Sequence, residues 1–138
     1  MEYKTVNTGG KFIRWAEHGQ QIELRVVAFD PVGATDLQDR PIPRLDGITI
    51  APATNHAPVK DGGGPVDLAT GSAVVVTGGY ASLRRGLILA DPKPGDHMRI
   101  TYVGDYDSGR PQPGKDFRIE HAPASPATAQ AQLTEDDL

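Results

Sequence analysis

The chain has no cysteine among its 138 residues. This excludes a disulfide scaffold, a thiolate zinc site and a cysteine nucleophile. No apolar run approaches the roughly 18 residues that a membrane-spanning helix needs, so no membrane contact is expected. The opening Met1-Glu2-Tyr3-Lys4 lacks the apolar stretch of a signal peptide, and a cytoplasm is the expected compartment. Charge of one sign does not dominate: 14 Lys and Arg stand against 18 Asp and Glu. The strongly basic balance that by itself points to nucleic acid is therefore missing. The four histidines, His18, His56, His97 and His121, show no metal-ligand spacing. Asp105, Asp107 and Asp116 space like a calcium loop, but Gly109 and Arg110 occupy its ligand and turn-glycine positions. No metal, cofactor or catalytic constellation is expected, and the chain does not read as an enzyme.

What is present is breakers and short alternating runs. Gly (16) and Pro (12) make up about a fifth of the chain, which disfavours long helices and favours strands joined by turns. Lys11–Trp15 is a short mixed segment with strand character. In 20–29, Ile22, Leu24, Val26 and Ala28 alternate with Glu23, Arg25, Val27 and Phe29, the period of a half-buried strand. Asp30-Pro31 is expected to end it, and 31–46 reads as a long loop. Residues 47–51 form a second strand, 52–65 another loop, and 66–69 and 73–77 two strand pieces. Leu83, Leu87 and Ala90 mark a helix over 80–90, with Ser82 as its expected cap. Residues 97–103 and 115–121 are the two strands of a hairpin with a Gly/Pro-rich connection. From Ala122 onward the composition is that of a disordered acidic tail. The division is therefore 1–121 as one domain and 122–138 as tail.

Strand, strand, strand pieces, helix, strand, strand is the order of an OB-fold, a five-stranded Greek-key barrel with a helix between its third and fourth strands. This fold commonly binds oligonucleotides or oligosaccharides. The stretch Pro94-Gly95-Asp96-His97-Met98-Arg99-Ile100-Thr101-Tyr102-Val103-Gly104, followed by Gly114-Lys115-Asp116-Phe117-Arg118-Ile119-Glu120, resembles the last hairpin of OB-fold single-stranded-DNA-binding proteins of tailed bacteriophages, of the actinobacterial phage type. The aliphatic run Leu83 to Ala90 before the Gly-Asp turn fits the same pattern. The resemblance spans 11–121 and is specific over 80–121. It implies a protein that coats single-stranded DNA in phage replication or recombination, without sequence preference and without catalysis.

Single-strand binding needs rings for bases and cations for phosphates. The eight aromatics are Tyr3, Phe12, Trp15, Phe29, Tyr80, Tyr102, Tyr106 and Phe117. Strand parity sets Phe29 outward and places Tyr102 and Phe117 in the core. Trp15 is either a stacking ring or a structural indole. Tyr106, in the hairpin connection, is either a ring that swings onto a base or a solvated loop tyrosine. Arg25, Arg99 and Arg118 share the outward parity of their strands, with Arg110 and Lys115 flanking. They form either one basic stripe or ordinary solvated faces, and Glu23, Asp116 and Glu120 dilute the charge there. Glu135, Asp136, Asp137 and Leu138 resemble in outline the acidic partner-docking tip of bacterial single-strand binders, without its Pro-Phe ending. The plainer reading is a charged, solubilising end. Rival readings are an OB-fold interaction or assembly module without nucleic acid, an oligomeric structural phage protein and an RNA-binding domain.

Overall fold

The computed structural model describes residues 10–124. The fold is mostly β with one α-helix. The strands are β1 (Lys11–Phe12), β2 (Gln21–Thr35), β3 (Pro41–Thr49), β4 (Ala53–His56), β5 (Pro65–Leu68), β6 (Ala73–Thr77), β7 (His97–Tyr106) and β8 (Gly114–Ala122). The helix α1 (Ala81–Ala90) connects β6 to β7, and a single 3-10 turn covers Val59–Asp61. Six strands form one mixed sheet in the order β1-β6-β3-β2-β7-β8, and β4 pairs with β5 alone. The β1–β6 pair is parallel and the others are antiparallel. Among the described residues no ladder joins the ends of this order, so the sheet is open and has one strand more than the expected five.

Two expected loops are structured. β2 does not stop at Pro31 but runs on to Thr35. Its register against β3 shifts between Asp30 and Ala34. A proline is tolerated at such a bulge because no ladder hydrogen bond is required of it. The Asp30 carboxylate accepts the Val32 N–H at 2.9 Å, closing the irregular turn locally. β3 starts at Pro41 rather than at Gly47, and β4 with the 3-10 turn fills part of 52–65.

The inward row of β2, Ile22, Leu24 and Val26, is fully buried with Leu45, Val76, Leu83, Leu87 and Ile100. α1 lies over β8 closely enough that a Cβ on Gly86 would overlap the Ile119 side chain. The glycine that weakens the helix thus allows its close approach. Ser82 does not cap α1; Tyr80 holds the cap position without a side-chain bond. The Ser82 hydroxyl instead accepts the Phe117 N–H at 3.2 Å and donates to Asp116 at 3.0 Å, pinning the helix start to β8.

The segment 10–20 crosses between β6 and the β7–β8 hairpin. At one end Ile13 N–H donates to Val75 C=O, and at the other Gly19 N–H donates to Tyr102 C=O. Two buried amides hold it. Asn55 Oδ1 accepts the Arg14 N–H at 2.9 Å and its Nδ2 donates to Phe12 C=O at 3.0 Å, the pairing a neighbouring strand would supply. Gln20 Oε1 accepts the Ala16 and Glu17 N–H groups, while Nε2 donates to Arg14 C=O and Thr54 C=O.

Removing either amide takes away partners from several part-buried backbone groups. Asn55→Ala and Gln20→Ala are each expected to cost about 2 kcal/mol, read as a lower urea midpoint at unchanged slope. Gly47→Ala is expected to cost about 1–3 kcal/mol by overpacking, because its Cβ would stand 2.9 Å from the Arg25 carbonyl oxygen and 2.7 Å from Leu24 Cδ1.

Candidate nucleic-acid interface

The outward face of β2, β7 and β8 is built in cross-strand rows. Gln21, Thr101 and Arg118 form one row, Glu23, Arg99 and Glu120 the next, and Arg25, His97 and Ala122 the third. The three predicted arginines therefore do share a face. Two of them are engaged there. Glu120 grips Arg99 in a fork of 2.9 and 2.6 Å and also lies 3.4 Å from Arg118. Its bonds to Arg99 hold the Glu120 carboxyl below its ordinary pKa. Arg25 is exposed and makes no ion pair among the described residues. A shallow groove of about 360 Å³ crosses these rows, lined by Glu23, Ile50, His97, Arg99, Glu120 and His121 among others.

Phe29 does not lie on this face. The register shifts between Val26 and Ala28, so Phe29 comes to stand opposite buried Leu45 and packs, half-buried, against the core. An extra residue in one strand reverses the parity of everything beyond it. Trp15 is also buried, its ring edge-on to Phe117 at 5.1 Å. Tyr106 belongs to the end of β7 and not to the hairpin turn. Its ring covers Gly114, the cross-strand partner, where a Cβ would overlap it. Arg110 is exposed in the turn between β7 and β8. Glu135, Asp136, Asp137 and Leu138 lie outside the described residues.

A second group gathers where the 10–20 segment meets the hairpin. Tyr102 and Phe117, both in the core as their parity requires, stack at 5.5 Å, and half-exposed Tyr80 leans on Phe117 at 5.8 Å. Lys115 is on this side of β8, not with Arg99 and Arg118. Its ammonium stands 4.6 Å from the Tyr102 ring centre and 5.6 Å from that of Tyr80, and it donates to the Tyr102 hydroxyl at 3.1 Å. That hydroxyl donates to Asp105, which also lies 3.4 Å from His18 Nε2. Burial, with the Asp105 bond and its charge, pushes the Tyr102 phenol up to about 12. Burial raises Tyr80 as well, against the charge of nearby Arg14.

Phe12 and Tyr80 are exposed rings that parity did not single out. The guanidinium of Arg44 sits 5.6 Å above Phe12, itself forked onto Asp46. The sequence signal for Phe12 was alternation in Phe12-Ile13-Arg14-Trp15: Ile13 and Trp15 turn inward, while Phe12 and Arg14 are exposed. Comparison with protein-family models, curated proteins and solved structures returned no match. No helix among the described residues is long and apolar enough to cross a membrane.

His121, at the groove, pairs with a buried carboxylate. Asp96 accepts the Lys93 and Ala124 N–H groups at 2.8 and 2.7 Å and pairs with His121 Nε2 at 2.7 Å. Burial opposes its ionisation, but these donors outweigh burial and the pKa is lowered. A lowered carboxyl pKa contributes stability that is present above the unfolded value near 3.8 and is lost as pH falls through the folded one. Asp96→Asn is therefore expected to lower the melting temperature at pH 7 by several degrees, with the gap closing below about pH 4. Thermal melts of both proteins across pH 3–7 check it.

Proposed function

We propose that this chain binds single-stranded DNA without sequence preference, as an accessory of phage DNA replication or recombination in the host cytoplasm, and without catalysis. The observation that carries the reading is the pairing of exposed rings with cations. Tyr80 stands beside Lys115 and near Arg14, and Phe12 lies under Arg44, which Asp46 also holds. Such pairs suit alternating bases and phosphates. Tyr106 adds a third half-exposed ring, held flat on Gly114. Arg25 and Arg110 extend the cationic surface.

The OB-fold reading is supported by the order of five sheet neighbours, β6-β3-β2-β7-β8, with α1 between β6 and β7. It is the third-second-first-fourth-fifth order of a partly open OB barrel. On this reading the 10–20 segment occupies the gap where the barrel would close. A second reading, an interaction module on the same fold, is favoured by the engagement of Arg99 and Arg118 with Glu120. In that case Arg25→Ala leaves DNA binding unaffected.

Fluorescence anisotropy of a labelled oligo(dT) of about 25 nucleotides, titrated at low and higher salt, separates the two. Binding is expected, with log K falling by about 0.7 per phosphate contacted. Phe12→Ala and Tyr80→Ala are each expected to weaken binding by about 1–3 kcal/mol with the salt slope kept, as loss of a stacked base requires. Arg25→Ala is expected to weaken binding and to reduce the slope. No binding by the full chain at low salt overturns the reading.

A further inference from the structure

Leu37 and Leu89 are two of the most exposed apolar residues, and neither the core nor the proposed interface uses them. The first lies on the arm formed by the far ends of β2 and β3. Beyond Asp30 these strands pair with each other, through Ala34 with Ile42 and Thr35 with Pro41. The tip is tightly ordered. Asp36 accepts the Gln38 and Arg40 N–H groups at 2.8 and 2.9 Å and the Arg40 guanidinium at 2.9 Å, and its own N–H donates to Arg40 C=O. At the apex of this ordered turn stands Leu37, fully exposed. Residues 30–46 carry four aspartates against two arginines, and both arginines are held by acids of the arm itself.

The second lies on the outer face of α1. Leu89 is 80% exposed and Ile88 about half, while Leu83 and Leu87 fill the core. Arg85 and Leu89 stand four residues apart, as do Arg84 and Ile88, so each leucine or isoleucine shares its strip of surface with an arginine. The helix carries no acidic residue. One feature is apolar and acidic, the other apolar and basic. They do not meet within one molecule, since Leu37 and Leu89 are both bare.

We propose that the arm tip of one chain docks on the outer face of α1 in a second copy of the same chain, with Leu37 against Ile88 and Leu89 and Asp39 toward Arg85. The pre-ordered tip leaves little conformational freedom to be lost on contact. A two-fold pair makes the contact twice, so each weak contact reinforces the other. The proposal is independent of DNA binding.

Sedimentation velocity of the full chain from about 5 to 500 µM, at low and high salt, tests it. The expected result is a concentration-dependent dimer that weakens with salt. Leu37→Ser and Leu89→Ser are each expected to weaken dimerisation at least about tenfold. Both positions are exposed, and far-UV circular dichroism verifies that the fold is kept. Mixing these two variants is expected to give tighter association than either alone, because one supplies an intact arm and the other an intact helix face. Asp39→Arg is expected to weaken the dimer, and Arg85→Glu added to the same chain to restore it. A monomer throughout the range overturns the proposal. So does a dimer that both serine variants leave unchanged, or a mixture no tighter than its components.

Discussion

Two side-chain amides, Asn55 and Gln20, determine where the 10–20 segment can lie. The sheet is open between β6 and β8, and an open edge exposes backbone donors and acceptors that must find partners. A two-residue parallel strand on β6 satisfies only part of that need. Asn55 then serves as a surrogate strand for residues 12 and 14, and Gln20 ties the following turn to β4. With the backbone held this way, alternation does the rest. Ile13 and Trp15 enter the core, while Phe12 and Arg14 are left at the surface. The exposure of Phe12 and the burial of Trp15 thus depend on the same pair of amides.

Charge is distributed with similar economy. Glu120 is shared by two of the arginines on the outward sheet face, and Asp36 and Asp46 hold those of the arm. Lys115 is turned the other way, onto Tyr102 and Tyr80. The cations are therefore scattered: Lys115 beside rings, Arg25 and Arg110 exposed elsewhere, and Arg99 and Arg118 paired with Glu120. Exposed ion pairs contribute little to stability, but they decide which cations remain available to a ligand. Arg44 belongs to both neighbourhoods, since it is forked onto Asp46 of the arm and lies over the Phe12 ring.

Much of the fold was legible in the amino-acid pattern. The alternation of Ile22, Leu24 and Val26, the spacing of Leu83 and Leu87, and the two strands around 97–103 and 115–121 all correspond to observed elements. The failures along β2 share one cause. Parity arguments assume an unbroken register, and β2 breaks its register twice. The first shift carries Phe29 to the core side, and the second lets the strand continue through Pro31. Tyr106 was misread because β7 extends three residues further than its alternation suggests, and a glycine opposite gives the ring a floor.

Composition and period alone determined the class of this protein: mostly β, one short helix, no thiol chemistry, and a core drawn from a few alternating runs. Those properties are local, since each strand's pattern can be read without knowing its neighbour. Which rings and cations face outward together was decided only in three dimensions. Bulges, the cross-strand meeting of Glu120 with Arg99, and the capture of the 10–20 segment by Asn55 are contacts between residues distant in the chain, and no local pattern encodes which partner arrives.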